Sequence, residues 1–211
     1  MELIEGEFTT GGPVAILPGS FHPPTVAHLG LAQAALARVE TVIFTLPRAF
    51  PHKRYEGVSQ SDRIELLSRL TANEPRFAVA VTEGGLFVEM ARELRHLRPA
   101  IRHVFLVCGR DAAERIVSWP YPKSEPIERQ FDQYSLLVAA RQGAFTPPRR
   151  LLPYIENLIT EANWDEVSST RVRNAIEQGA DWRPLVPQRI HDLVDALYSP
   201  SRVDSKNVRS R

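Results

Sequence analysis

Short apolar runs rich in Val, Ile and Phe recur along the chain: VAIL at 14–17, TVIFTL at 41–46, FAVAV at 77–81, HVFLVC at 103–108 and SLLVAA at 135–140. Runs of this length and composition predict buried strands. Between the first two, Leu29, Ala32, Leu36 and Val39 fall on one helical face. Between the second and third, a helix is expected to open at Ser59, with Asp62 three residues on as its capping partner. Alternating strands and helices require crossover connections, so the pattern predicts an α/β protein, a doubly wound parallel sheet with helices on both faces, in a single domain.

The final third changes character. ENLITEA (156–162) reads as a last strand, SSTRVRNAIEQG as a helix stopped by Gly179, and PQRIHDLVDALY as a helix opened by Pro187. Residues 47–57, 118–131 and 141–150 form long or proline-rich loops, and loops at strand ends are where such sheets carry function. The domain is therefore expected to span 14–198, with 1–13 as an N-terminal extension. From Ser199 onward SPSRVDSKNVRSR has too little apolar surface to pack and is expected to be a disordered tail.

Composition narrows the partners. A length of 211 residues suits one core, and 26 basic against 25 acidic residues, interspersed, argue against nucleic acid as the partner. The single cysteine, Cys108, cannot form an intramolecular disulfide and reads as a small buried strand residue. No apolar run approaches the ~18 residues of a membrane span, and the N-terminus lacks the pattern of a signal peptide, so a cytoplasmic protein is expected.

Candidate chemistry begins directly behind the first strand. PGSFHPPTVAH (18–28) places Gly19 and Ser20 at the strand's carboxyl end, where a glycine lets backbone N–H groups approach a phosphate closely. Pro24 suits a first helical turn, and Thr25 and His28, three apart, share one face at the helix start, the end that favours anions. The stretch fits a polyphosphate seat with an imidazole donor; a plain turn followed by a helix with a polar start is the alternative. It does not fit a metal site, since His22 and His28 are six apart with no acidic ligand nearby, nor a P-loop or dinucleotide fingerprint.

A second motif lies far away in sequence. EVSSTRVRNAI (166–176) puts three hydroxyls at a helix start, with Arg171 and Arg173 in the first turn and Val172 and Ile176 facing inward. Serine and threonine are ordinary caps, but a cation there opposes the helix dipole by roughly 0.3–1 kcal/mol, and something negative nearby is the simplest compensation.

Together, GSFHPPTVAH and VSSTRVR resemble the nucleotidylyltransferase superfamily with its (H/T)xxH signature, and within it the nicotinate or nicotinamide mononucleotide adenylyltransferases, over about residues 14–198. The resemblance implies a Rossmann-like sheet and an adenylyl donor, ATP, with Mg2+ carried by the nucleotide. It implies that Gly19, Ser20 and Phe21 line the triphosphate through their amides, with Thr25 and His28 donating to phosphates and Ser169, Thr170 and Arg173 holding the outgoing pyrophosphate. Lys53 in PHK and Arg63 would meet the phosphate of a small acceptor, a pyridine mononucleotide. Gly109 and Asp111 of CGRDAAERI would lie beside the adenosine, and Trp119 near the acceptor base.

Some residues depart from the pattern: His22 stands for the usual Asp or Asn, Ala27 for Gly, and Arg110 for a small residue, and EGGLFVEMAREL lacks the threonine-rich TYxTL stretch of the pyridine-nucleotide enzymes. A different phosphate acceptor, or a non-catalytic adenine-nucleotide-binding homologue, are the alternatives these departures leave.

Overall fold

A computed structural model describes residues 1–7, 11–48, 57–124, 126–140, 143–160 and 164–199. Its strands are β1 (Glu2–Glu5), β2 (Val14–Pro18), β3 (Thr41–Pro47), β4 (Phe77–Thr82), β5 (Val104–Gly109), β6 (Ser135–Ala139) and β7 (Ile155–Leu158). Its helices are α1 (Val26–Ala35), α2 (Gln60–Thr71), α3 (Phe87–Leu97), α4 (Arg110–Ser118), α5 (Ile127–Phe131), α6 (Ser169–Glu177) and α7 (His191–Tyr198). The seven strands form one sheet in the order β1-β4-β3-β2-β5-β6-β7. All neighbouring pairs are parallel except β1 with β4.

The apolar runs are continuous because the sheet is covered on both faces. Along β2, Ala15 and Leu17 join one core with Leu66, Leu67 and Leu70 of α2, Val172 of α6 and Val194 and Leu197 of α7. Val14 and Ile16 join the other, with Met90, Ala91 and Leu94 of α3, Ala113 of α4 and Phe131 of α5. The helix at Ser59 is capped as expected, since the Asp62 N–H donates to Ser59 Oγ at 3.1 Å and the Ser59 N–H to Asp62 Oδ2 at 3.2 Å.

Several boundaries differ from the sequence expectations. The segment expected as an extension contributes β1, an antiparallel edge strand; its short ELIE run, only partly buried, carries too little apolar signal to stand out. Glutamates flanking Leu3 and Ile4 suit an edge that must not recruit another strand. Helix α1 ends at Ala35, so Val39 enters the core from the turn beyond it rather than from the helix face. Pro187 precedes a 3-10 turn (Gln188–Ile190), and α7 proper begins at His191. α5 lies inside the stretch expected as the loop 118–131. Gly179 ends α6 as expected, with φ of +64°, a conformation that disfavours other residues. The tail expected to be disordered lies outside the described residues, apart from Ser199. No helix among the described residues is long and apolar enough to cross a membrane.

The order of the strands places the site. The chain runs outward from β2 to β3 and β4, then returns to lay β5 against the other side of β2. Crossovers leave the sheet in opposite directions on either side of the β2–β5 seam, and their loops part at its carboxyl end, the place where such sheets open a crevice.

Candidate active site

A cavity of about 260 Å³ opens at that seam. Its floor is the carboxyl ends of β2 (Leu17, Pro18), β5 (Val107, Cys108, Gly109) and β6 (Ala139, Ala140), and its walls include Thr25, Ala27, His28 and Leu31 from the start of α1. Across from them stand Trp164, Asp165, Val167, Ser168 and Ser169, the approach to α6. The two motifs therefore meet: the segments around 25 and 169 border one cavity.

The turn between β2 and α1 is held by groups that arrive from elsewhere in the chain. Gly19 N–H donates to the Thr45 carbonyl at 3.1 Å, extending the β2–β3 ladder by one residue. That amide, expected to line a triphosphate, is therefore engaged in the sheet. A glycine is needed for packing, because a Cβ there would stand 2.9 Å from the ring of Phe21. Among the described residues, no backbone acceptor meets the Ser20 or Phe21 amide. Phe21 is fully buried with φ of +45° and packs edge-on to His28 at 5.1 Å.

Pro23 and Pro24 remove two N–H groups from this turn and leave carbonyls that need donors. Arg173 donates to the His22 carbonyl at 2.6 Å and Ser169 Oγ to the Pro23 carbonyl at 2.7 Å. Arg63, buried at 5% exposure, donates to the Ser20 carbonyl at 3.0 Å. Arg63, expected on the acceptor phosphate, braces the turn from beneath through this contact. The arginines at the start of α6 find their compensation within the protein: Arg171 pairs with Glu166 at 2.6 Å, and Arg173 with the His22 carbonyl and, at 3.3 Å, with Thr170 Oγ1.

His28 is oriented from behind. The Thr25 N–H donates to its Nδ1 at 3.0 Å, and Thr25 Oγ1 lies 2.8 Å from the same nitrogen. An Nδ1 that accepts from an amide carries no proton, so the neutral ring holds its hydrogen on Nε2. The imidazole lining the cavity is thus set as an N–H donor.

The remaining expected residues are dispersed. Gly109 caps α4 on the cavity floor, and a Cβ there would find nothing within 4 Å, so packing does not demand glycine and the space above it is open. Asp111, in the first turn of α4, is exposed and outside the cavity lining, and Thr170 is exposed one residue beyond it. Trp119 ends α4 with 61% of its surface exposed, also outside that lining. Lys53 lies outside the described residues.

Trp164 is a cavity residue that the motifs did not point to. Its indole lies so close to α1 that a Cβ at Gly30 would be 2.7 Å from Nε1. A glycine inside a helix costs about 1 kcal/mol relative to alanine, so Gly30, a position with no turn to make, was the available signal. Burial pushes the Cys108 thiol up to about 12, which keeps it protonated and makes it a wall rather than a nucleophile. Among the described residues no group of three or more His, Cys, Asp or Glu side chains is placed to hold a metal.

An open α/β sheet whose switch-point cavity is bordered by two helix starts and an oriented imidazole defines a protein built to bind a nucleotide. The chain belongs to the cytidylyltransferase-like family, whose model matches residues 16–175. A probable nicotinate-nucleotide adenylyltransferase of Anaeromyxobacter dehalogenans is 33% identical, the match covering 88% of this chain and 95% of the relative. A phosphopantetheine adenylyltransferase of Rubrobacter xylanophilus is 27% identical, over 89% and 96%. Among solved structures, a nicotinic acid mononucleotide adenylyltransferase of Plasmodium falciparum complexed with NaAD superposes with a TM-score of 0.65 at 16% identity, covering 87% of this chain and 95% of that one.

Proposed function

We propose that this protein is an ATP-dependent adenylyltransferase that moves AMP onto the phosphate of nicotinate or nicotinamide mononucleotide and releases pyrophosphate, a step of NAD biosynthesis in the cytoplasm. The observation that carries the reading is the convergence of His28 and Thr25 with Ser169 on one cavity, braced through Arg173. The choice of acceptor is supported by relatives bearing that enzyme's name.

In this reaction an acceptor phosphate oxygen attacks the α-phosphorus of ATP in line. One P–O bond forms, the bond to the bridging oxygen breaks, and that oxygen leaves with its electron pair on pyrophosphate. Such transfers depend on positioning and charge stabilisation rather than on a protein nucleophile. His28 Nε2–H donates to the phosphate chain, the Ser20 and Phe21 amides line it, and the guanidinium of Arg173 faces the pyrophosphate end with the donors its carbonyl contact leaves over. Magnesium enters as part of the substrate, held by phosphate oxygens and water, as its small radius and tight hydration favour.

Trp164 supplies a flat surface for the base. Replacing Gly30 by alanine forces the indole to move while favouring the helix, so Gly30→Ala is expected to weaken ATP binding roughly tenfold, the scale of one base–aromatic stack. Calorimetric titration alongside a thermal melt checks this; unchanged ATP affinity removes Trp164 from the base site.

A second acceptor class has specific support. The stretch EGGLFVEMAREL departs from the pyridine-nucleotide pattern, and one relative of similar identity bears the name phosphopantetheine adenylyltransferase. Incubation with ATP, Mg2+ and a panel containing nicotinate mononucleotide, its amide and phosphopantetheine, read by pyrophosphate release, separates the two. Release with a pyridine mononucleotide is expected. Release with phosphopantetheine alone moves the assignment to the second reading, and ATP binding without release from any acceptor defeats both.

A further inference from the structure

We propose that Tyr198, the last residue of α7, is a positioning residue that holds the phosphate-binding turn in its working conformation through His22; this rests on the reading of that turn given above. The turn needs restraint. Phe21 at φ +45° occupies a region that disfavours residues bearing a Cβ, and the conformation persists only where the surroundings impose it.

The restraints are arranged around one residue. His22 is 8% exposed, its carbonyl is taken by Arg173 of α6, and its Nδ1 lies 2.7 Å from the Tyr198 hydroxyl. Its ring packs on the tyrosine ring at 5.2 Å. Burial pushes the Tyr198 phenol well above its ordinary range, with the guanidiniums of Arg63 and Arg173 acting in the opposite sense and the Asp62 carboxylate reinforcing it. The hydroxyl therefore keeps its proton and shares a hydrogen bond of 2.7 Å with His22 Nδ1.

His22 is thus gripped at its side chain by α7 and at its backbone by α6, while Arg63 of α2 fixes the Ser20 carbonyl two peptides earlier. Because a peptide is planar and trans, anchoring the Ser20 carbonyl on one side aims the Phe21 N–H to the other. The departure from Asp or Asn at position 22 acquires a physical meaning here, as the group that reaches the end of α7.

Tyr198→Phe removes the hydroxyl but keeps the ring against His22 and leaves the core contacts of Val194 and Leu197 in place. ATP affinity, titrated calorimetrically without acceptor, is expected to fall roughly fivefold to tenfold, the range of one neutral hydrogen bond. kcat/KM for ATP should fall by the same factor, with KM for the acceptor and the thermal midpoint little changed. In a His22→Ala background the same substitution is expected to have almost no further effect, and His22→Asn, which restores a hydrogen-bonding partner for the tyrosine, should regain most of what His22→Ala loses. Equal effects of Tyr198→Phe in both backgrounds, unchanged ATP affinity, or a loss that simply tracks a fall in thermal midpoint would each overturn the proposal. The ATP titration reads the coupling even if no acceptor in the panel turns over, so a failed acceptor assignment and a failed role for Tyr198 give different results.

Discussion

His28→Ala is expected to lower kcat by about 10²-fold or more, the effect of deleting one donor aimed at developing charge in a transition state. The geometry makes this more specific than the presence of a histidine near a phosphate seat. With Nδ1 accepting the Thr25 amide at 3.0 Å, the ring is fixed in plane and in tautomer, and the cavity receives an N–H whose direction is set before any ligand arrives. The same contact has a structural share, because removing the ring leaves the Thr25 N–H without that acceptor at the start of α1, a loss of about 1 kcal/mol for a helix cap. The two shares separate in His28→Gln: a glutamine three residues into a helix can reach back to the capping amide but cannot place an N–H where Nε2 was. Its thermal midpoint should return towards wild type while kcat remains low. Steady-state pyrophosphate release and a thermal melt on the three proteins give the answer, and equal turnover in wild type and His28→Ala would remove the residue from the mechanism.

Much of this site was legible because it consists of two dense local signals. GSFHPPT and VSSTRVR each combine a helix start with residues that a core has no use for, and the apolar runs around them define the strand whose end they share. Their convergence, 146 and 151 residues apart for the Ser169 and Arg173 contacts, is observed. What escaped the sequence are demands created by the backbone in three dimensions. Three carbonyls of one turn require donors, and nothing in the chain says that Arg63 supplies the first of them. Trp164 stands alone in a polar stretch, and its relation to Gly30 needs α1 and the approach to α6 side by side. β1 carries Leu3 and Ile4 between glutamates, too short an alternation to separate from a loop.

The prolines explain why the two motifs occur together. A Pro-Pro pair stiffens the turn, but it leaves the His22 and Pro23 carbonyls as acceptors with no neighbouring donor. The start of α6 meets both: Ser169 is freed for the Pro23 carbonyl because Ser168 caps the helix by accepting from Arg171 N–H at 3.1 Å. Consecutive serines thus divide the labour, one for the helix and one for the turn, and each motif is incomplete without the other.

Arg173→Ala is expected to reduce kcat/KM for ATP by about 10²-fold, because it removes two functions at once. The His22 carbonyl loses a charge-assisted bond of 2.6 Å, which loosens a turn already held at an unfavourable φ, and under the proposed function the pyrophosphate loses a cationic partner. Affinity for ATP and for pyrophosphate should fall well beyond any change in acceptor affinity, and isothermal titration of the three ligands tests that order; a larger loss for the acceptor would reverse the assignment of the two ends. Arg173→Lys separates charge from geometry. A lysine keeps the positive charge but is a compact point donor on a flexible stem, and it cannot reproduce a planar fork that serves the His22 carbonyl and Thr170 Oγ1 together while retaining N–H groups for a phosphate. Recovery should therefore be partial: if lysine restores full activity, the cation alone matters and the brace on His22 is dispensable, whereas no recovery at all would place the whole effect in the guanidinium's grip on the turn.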